Sequence, residues 1–290
     1  MKPARFEYHA PTSVDEAIAL LGTFGDDAKV LGGGQSLVPM LALRLTRFGH
    51  LVDLNRIPTL QFISRNGEWL SIGAMTRQAV AEHDAVVATA APLLAKAIPH
   101  IGHFQIRNRG TIGGSIAHAD PASELPAVAL ALEAEIELLG PSGTRRVPAG
   151  EFFLSMWETA TTSEEIVVAM HFPVAAAHTG FGFAEMALRL GDFAITGAAC
   201  TVTLAESGVV DRAAIGLMGM DVTPIRAREA EAALVGARPE VDDLAEIATI
   251  AVAAASPTDD VHASARYRSK VGAVMVERSL RSAIEEATRG

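Results

Sequence analysis

The sequence has 290 residues, and its 24 Lys and Arg against 34 Asp and Glu give a net charge of −10. Its 49% hydrophobic and 20% charged residues are typical of a soluble globular protein, and its length predicts about two domains. An acidic chain without a cluster of Lys and Arg is poorly suited to bind nucleic acid or an anionic membrane.

The single cysteine and the start of the chain bear on location. Cys200 alone cannot form an internal disulfide, and this chain cannot ligate an iron–sulfur cluster through cysteines. The start of the chain has no apolar segment typical of a secretory signal peptide, and no stretch approaches the ~18 consecutive apolar residues of a membrane-spanning helix. We therefore expect a cytoplasmic protein without a membrane span.

The first part of the chain is predicted to mix short strands with short helices. Ser13 and Glu16 form a capping box, which predicts a helix that ends before Gly22. Asn66-Gly67 predicts a tight hairpin turn, and Thr76 is a candidate helix N-cap. The predicted strands are 28–31, 50–54, 62–64, 69–72, 134–139 and 164–172, and a further helix begins near Ser123.

The pattern changes after residue 173, where 175–180 reads as a linker. Beyond it, strands are predicted at 181–189, 193–205 and 209–219, followed by helices near 226–235, 241–255 and 268–286. Strands followed by helices indicate an α+β unit with a three-stranded antiparallel sheet. We therefore expect an α+β protein with one domain over 1–175 and a second over 176–290.

Two glycine-rich segments are the strongest indication of function. One is the loop Gly32-Gly33-Gly34 with Gln35, Ser36 and Leu37, and the other is the loop Thr111-Ile112-Gly113-Gly114-Ser115, and both are expected to expose their amides. The amides of such segments can form an anion-binding nest. Together they favour a nucleotide cofactor, although Leu37 stands where a dinucleotide fingerprint needs glycine and no P-loop tripeptide occurs.

Other motifs have less specific interpretations. His100, His103 and His118 lie near Asp120 in sequence, but no zinc motif accompanies them, so no metal site is predicted. The segment around Ser115 lacks the last glycine of a G-x-S-x-G hydrolase elbow. Arg107 and Arg109 beside the second glycine-rich segment are either surface charges or partners of a pyrophosphate or an acidic protein.

These motifs resemble a known family along the whole chain. The segments are Gly32 to Leu37, Ile106-Arg107-Asn108-Arg109-Gly110 with Thr111 to Ser115, and Ala119-Asp120-Pro121-Ala122-Ser123-Glu124, together with Val52 to Pro58, Gly191-Asp192-Phe193-Ala194 and Tyr267-Arg268. They resemble the FAD-binding medium subunit of molybdenum hydroxylases, the carbon monoxide dehydrogenase and xanthine dehydrogenase type. Gly32 departs from a frequent Ala and Phe193 from a common Tyr.

The resemblance implies a fold and a function. The expected fold is a two-part FAD-binding domain of the vanillyl-alcohol oxidase (PCMH) type, with subdomains over about 1–55 and 56–175, and a C-terminal α+β domain. The implied partners are a large molybdopterin-binding subunit and a small subunit with [2Fe–2S] clusters, in a dimer of heterotrimers. FAD on this chain would receive their electrons and pass them to NAD, a quinone or oxygen.

The resemblance also implies the residues that bind the cofactor. The two glycine-rich segments would wrap the pyrophosphate of FAD, and Asp120 would hydrogen-bond the ribityl or nearby hydroxyls. Ile166 and Phe183 would line the adenine or ring side, and Phe193 would lie near the isoalloxazine. No catalytic acid or base is implied on this chain.

Two other classes of function stay open at this point. One is a free-standing FAD-dependent reductase or oxidase on the same fold, which would need its own substrate site and proton donor. The other is a non-catalytic assembly protein that has lost its flavin. The sequence identifies neither the substrate of the whole complex nor its electron acceptor.

Overall fold

The computed structural model describes residues 2–238 and 244–289. Within them the strands in chain order are β1 Glu7–His9, β2 Ala28–Leu31, β3 His50–Asp53, β4 Ile63–Asn66, β5 Trp69–Gly73, β6 Glu135–Gly140, β7 Gly143–Pro148, β8 Phe153–Ser155, β9 Glu158–Thr159, β10 Ile166–Pro173, β11 Thr179–Met186, β12 Thr196–Leu204, β13 Val210–Met218 and β14 Ile225–Arg226. The helices are α1 Val14–Phe24, α2 Leu37–Ala42, α3 Gln78–His83, α4 Ala85–Ala90, α5 Pro92–Ala97, α6 Phe104–Arg107, α7 Ile112–His118, α8 Glu124–Ala131, α9 Ala149–Phe152, α10 Arg228–Leu234, α11 Leu244–Ala253 and α12 Ala265–Arg289.

The first part of the fold is a small parallel sheet in the order β1-β3-β2. Its strands run in parallel with Glu7 opposite His50 and Leu31 opposite Asp53, so the carboxyl ends of β2 and β3 lie side by side. Helix α1 covers one face, where Ala17 and Leu21 pack against Val52 in a shared core. The loops that follow β2 and β3 therefore meet at one edge of this sheet.

A second sheet of five strands, in the order β4-β5-β10-β6-β7, is antiparallel throughout. Its largest core lies between one face of this sheet and helices α4, α5, α7 and α8, with Leu70, Ile72, Met170 and Phe172 almost completely buried. Strand β10 also contributes Ile166 and Val168 to the core shared with α1. One strand thus contributes to both cores.

The third sheet belongs to the last part of the chain, in the order β11-β12-β13-β14. Helix α12 packs closely on β11. A Cβ on Gly182 would lie 1.8 Å from the Ser279 carbonyl oxygen, so only glycine allows this approach. The Nζ of Lys96 on α5 lies 2.6 Å from an Oε atom of Glu286 on α12 and donates to the Phe181 carbonyl. This contact ties the helices of the first part to the last helix.

Several local predictions are confirmed at their positions. Strand β2 has the predicted bounds, Ser13 caps α1 by accepting from the Glu16 amide at 3.2 Å, and the three long strands of the last sheet are antiparallel as expected. The beginning of the predicted helix 241–255 and Pro239 lie outside the described residues.

Other local predictions are wrong. Helix α1 continues through Gly22 to Phe24, because the reversal occurs at Gly25 with φ of 53°. The predicted hairpin forms between β4 and β5, but Asn66 pairs with Trp69, so the turn residues are Gly67 and Glu68 and not Asn66 and Gly67. The last sheet has a fourth strand, the two-residue β14, which pairs with β13.

The helix that Thr76 was predicted to cap begins later than expected. Thr76 donates its hydroxyl to the Phe62 carbonyl at 3.0 Å, and Arg77 holds the N-cap position of α3 without a side-chain cap. The tertiary hydrogen bond to the β4 region therefore outweighs the local capping preference.

Candidate functional site

A cleft lies at the carboxyl ends of the parallel strands β2 and β3. Its volume is about 320 Å³. In sheets with parallel strands, ligands bind outside the carboxyl ends of the strands, where loops converge. The cleft is lined by the first glycine-rich segment, the start of α2, residues after β3, and one arginine, namely Leu31, Gly32, Gly33, Gly34, Gln35, Val38, Pro39, Asp53, Asn55 and Arg109.

The first glycine-rich segment offers unpaired backbone amides to this cleft. Within the described residues, the amides of Gly33, Gly34, Gln35 and Ser36 have no acceptor. Gly34 has φ of 75°, a conformation that glycine adopts without strain. Such a run of amides is suited to an anion, and a phosphate is the anion that glycine-rich loops most often cradle.

Close packing explains why glycine is required at position 33. A Cβ on Gly33 would lie 2.3 Å from the Arg109 carbonyl oxygen and 2.8 Å from the Gly110 Cα. The neighbouring Gly32 would place a Cβ 3.2 Å from the Thr111 hydroxyl. The structure therefore brings the two glycine-rich segments into contact, as the prediction of one shared cofactor site requires.

A polar network that the sequence did not predict fixes this contact. Asn55 donates its amide group to the Gly32 carbonyl at 3.0 Å, and its backbone amide donates to Asp53 at 2.9 Å. The Arg77 guanidinium donates to the Asn55 side-chain oxygen at 2.5 Å and to the Arg109 carbonyl. Burial, together with the charge of Arg109, lowers the pKa of Arg77. Parallel pairing of β2 with β3 brings Asn55 to Gly32, a contact that sequence spacing does not reveal.

The second glycine-rich segment was expected to be a loop with exposed amides, and this is wrong. Thr111 is the N-cap of α7, and the four residues after it form the first turn of that helix. Their amides donate to the Thr76 and Ala74 carbonyls and to the hydroxyl and carbonyl of Thr111. A Cβ on Gly113 would lie 2.4 Å from the Ala74 Cβ, so this glycine lets α7 pack against the end of β5. The segment is therefore a tightly packed wall beside the first loop.

Asp120 follows α7 in a compact polar turn. Its carboxylate accepts from the Ala122 amide at 2.9 Å and from the Trp157 indole at 3.3 Å, and His118 lies at 3.9 Å. Burial lowers the pKa of His118, although the charge of Asp120 acts in the opposite direction. The Asp120 carboxylate is thus already held by protein donors on two sides.

A second polar cluster lies where α8 begins and β11 passes, and it includes a residue whose role the sequence did not indicate. Glu124 is only 3% exposed, and burial raises the pKa of its carboxyl to about 8. The negative charges of Glu185 and Asp120 raise this pKa further. Glu185 contacts the His100 ring nitrogen at 3.3 Å through one oxygen, while its other oxygen is buried and has no hydrogen-bond partner among the described residues. Glu124 is part of the motif that carries the family resemblance, but its place in the sequence indicated no role. Its unusual protonation follows only from its burial in the structure.

The three apolar residues predicted to line the cofactor lie outside the cleft wall. Ile166 is 2% exposed and packs in the core shared with α1, whereas Phe183 lies against His100 with 4.9 Å between ring centroids. Phe193 is 56% exposed in the loop before β12. That loop returns to the first part of the chain at Gly191, where a Cβ would lie 2.9 Å from the His103 ring. Phe183 therefore lies beside the second polar cluster, whereas Phe193 lies in a loop that packs against His103.

Comparison with known proteins places the chain in a family. Residues 4–175 match the family model of the FAD binding domain in molybdopterin dehydrogenase, and residues 181–283 match the CO dehydrogenase flavoprotein C-terminal domain. The chain is 43% identical over 287 residues to the 6-hydroxypseudooxynicotine dehydrogenase complex subunit alpha of Paenarthrobacter nicotinovorans, covering 99% of this chain and 97% of that protein.

Solved structures agree over the full length. A chain of the carbon monoxide dehydrogenase of Hydrogenophaga pseudoflava, in a form that lacks the Mo-pyranopterin moiety, superposes with a TM-score of 0.96 at 42% identity, covering 99% of each chain. A chain of quinoline 2-oxidoreductase from Pseudomonas putida 86 superposes with a TM-score of 0.93 at 34% identity, covering 99% of each chain.

The chain belongs to the family of FAD-binding medium subunits of molybdenum hydroxylases. The predicted family, the α+β fold with an FAD-binding domain, the oxidoreductase class and the FAD cofactor are confirmed. Its relatives are named as subunits of larger complexes, in agreement with the predicted need for partner subunits. Among the described helices, none has both the length and the apolar character needed to cross a membrane.

Proposed function

We propose that the cleft after β2 and β3 binds the pyrophosphate of FAD, and that residues 1–175 form the FAD-binding domain and 176–290 the second domain. The observation that supports this site is the run of amides from Gly33 to Ser36, which find no acceptor among the described residues, together with Arg109, which lines the same cleft. Amides and guanidinium together match a doubly charged pyrophosphate. The second glycine-rich segment then contributes rigid support, and Ser115 adds a hydroxyl.

The ring end of FAD is assigned to the second polar cluster. Phe183 and the loop of Phe193 supply aromatic surface there, and both contact histidines of the first domain. Burial raises the pKa of Glu124 to about 8, so that its carboxyl in the protonated form can donate a hydrogen bond, while Asp120 accepts hydrogen bonds at the approach to the cluster. Ile166 does not line this cluster; it packs in the core that supports β3 and the cleft behind it.

The chemistry that FAD supplies here is acceptance of electrons from [2Fe–2S] clusters of a partner subunit and their transfer to NAD, a quinone or oxygen. The residues of this chain bind and orient the cofactor and exclude water from its phosphates. We propose the partners to be a small iron–sulfur subunit and a large molybdopterin subunit, arranged as a dimer of heterotrimers in the cytoplasm. The large subunit would then determine the organic substrate.

Replacement of Arg109 tests the cofactor site. We expect Arg109→Gln to weaken FAD binding by about tenfold or more, because a hydrogen bond from a charged donor contributes about 1.5–3 kcal/mol. The matched control is Arg65→Gln on exposed β4, which should keep full FAD occupancy. Flavin absorbance per chain, measured after dialysis at a series of FAD concentrations, gives the affinity. Equal affinities of the two variants would contradict the assignment of Arg109.

Release of the flavin tests its identity and attachment. Acid precipitation should leave FAD in the supernatant, because the site contains no group assigned to covalent attachment. Flavin that stays in the pellet, or FMN in the supernatant, would contradict the proposal.

Co-expression with neighbouring reading frames tests the electron route. We expect co-purification with a cysteine-rich small subunit and a molybdenum-containing large subunit, seen by size exclusion and metal analysis. The chain alone should oxidise no organic substrate, yet pass electrons to an acceptor once chemically reduced. If it elutes alone and turns over a substrate, the free-standing reductase is the correct function.

A further inference from the structure

Three potential metal ligands converge on the outer part of the small parallel sheet, away from the glycine-rich cleft. Glu7 and His9 are two positions apart on β1, so their side chains share a face, and His50 on β3 is the register partner of Glu7. The donor atoms of all three side chains lie within 4.8 Å of one another. Strand pairing alone therefore assembles a His-His-Glu group.

The distances within this group fit a small divalent ion. The Nε2 of His9 lies 3.1 Å from the Nδ1 of His50, and that Nδ1 lies 3.7 Å from a carboxylate oxygen of Glu7. Bonds of about 2.0–2.1 Å to zinc in a tetrahedron separate neighbouring ligand atoms by about 3.3 Å. These two distances lie on either side of this separation, and the third pair of donor atoms lies within 4.8 Å, so side-chain adjustment can bring all three to one ion.

Helix α1 holds both imidazoles from behind. The ring of Phe24, the last residue of α1, stacks on His50 with 3.6 Å between centroids and a 9° interplanar angle, and on His9 at 5.1 Å. The His50 side chain is 18% exposed, whereas that of Glu7 is 75% exposed. The two rings are thus oriented by packing, and the carboxylate can close over an ion from the solvent side.

We propose that Glu7, His9 and His50 form a binding site for a zinc-class divalent transition metal, with water at the remaining position. Imidazole nitrogens with one carboxylate favour Zn²⁺ over the oxygen-preferring Mg²⁺ and Ca²⁺. The ion would join the three-residue edge strand β1 to β3. Because the ion binds only the folded sheet, it raises the stability of the chain.

Titration of the full FAD-loaded chain with Zn²⁺ after chelator treatment tests the site. Calorimetry should give one Zn²⁺ per chain, and the melting temperature should rise with Zn²⁺ but not with Mg²⁺ at the same concentration. His50→Gln should abolish this binding. Glu7→Gln, an exposed change that leaves the sheet intact, should weaken it about tenfold or more, since even outer partners of metal ligands change affinity by about 10–100-fold.

The control is His83→Gln, which removes an exposed imidazole at the end of α3. It should bind Zn²⁺ with the stoichiometry and affinity of the unaltered chain. The proposal is overturned if the unaltered chain does not bind Zn²⁺. It is also overturned if Glu7→Gln and His50→Gln both bind it as the unaltered chain does, or if Mg²⁺ competes equally.

Discussion

Glu124 occupies the first position of α8, where most carboxylates would be solvated near the helix end. Here the carboxyl is buried, and its pKa rises from the ordinary 4.5 to about 8. Between these values the folded chain keeps a proton that the unfolded chain has released. The free energy of unfolding therefore falls as pH rises through this window and levels off above it.

Glu124→Gln should remove this pH dependence, because the amide keeps the shape of the neutral carboxyl and cannot ionise. From about pH 5 to about pH 9 the unaltered chain should lose roughly a few kcal/mol of unfolding free energy through this group, whereas the variant should not. The variant should therefore be more stable relative to the unaltered chain at about pH 9 than at about pH 5. Thermal melts by circular dichroism at both pH values measure the difference. Glu229→Gln, exposed on α10, controls for loss of one negative charge. An unchanged difference at the two pH values would refute the neutral state of Glu124.

For single residues, the sequence predicted membership of the cofactor site better than it predicted the contacts that each residue makes. Gly33 was predicted to belong to a cofactor loop, but its close approach to the Arg109 carbonyl depends on packing between distant segments. The role of Asn55 as a bridge from Gly32 to Arg77 also needs the sheet register. Such contacts join residues more than 20 positions apart, and local patterns carry no information about them.

Helices α7 and α8 differ in how they begin, although a hydroxyl residue occupies the N-cap position of both. Thr111 is buried and accepts from the Gly114 amide at 3.0 Å, whereas the Ser123 side chain makes no capping hydrogen bond. The first turn of α7 contains two glycines, so its intrinsic helix preference is low. We infer that the Thr111 hydroxyl stabilises this helix more than Ser123 stabilises α8.

Thr111→Val should therefore destabilise the chain by about 1 kcal/mol, and by up to about 2 kcal/mol, because it removes the cap and leaves the half-buried Gly114 amide without its acceptor. Ser123→Ala is the matched control and should cost less. Urea denaturation of both variants gives the free energies of unfolding. Equal losses would show that the Thr111 hydroxyl does not act as a cap.

Elements with a strong local pattern were predictable from sequence. The apolar strand β2 ends at glycines, and the long strands of the last sheet are separated by clear turn residues such as Gly208. Helices α2 and α6 were missed because four to six residues are too few to show a helical period. The first turn of α7 was predicted as a loop because its glycines favour one, and tertiary packing against Ala74 decides otherwise.

The two parts of the molecule are joined through the last helix. Lys96 on α5 contacts Glu286, which also accepts from the Phe181 amide at 2.8 Å. Gly180 and Gly182 let α12 rest on the backbone of β11, since a Cβ on either would lie 1.8 Å from a helix carbonyl. The close packing of α12 on β11 therefore depends on glycine at positions 180 and 182.

Gly182→Ala should displace α12 and destabilise the chain by about 1–3 kcal/mol or more, as overpacking of a close contact does. Hydrogen exchange should show loss of protection in α12 and β11 before other regions. Gly150→Ala, where a Cβ meets no atom within 4 Å, is the control and should keep native protection. If the two variants exchange alike, the close packing of α12 does not limit stability.

The packing of α12 on β11 also determines the order in which the two domains fold during synthesis. Strand β11 leaves the ribosome well before α12, the helix that covers it. The backbone of β11 around its glycines therefore stays exposed to solvent while the rest of the second domain is synthesised. The two cores of the first domain consist mostly of residues before 175, although Phe181 and Ala199 of the second domain complete the larger one. We expect nascent chains to acquire protease resistance in two stages, with the later stage beginning only after Ser279 emerges.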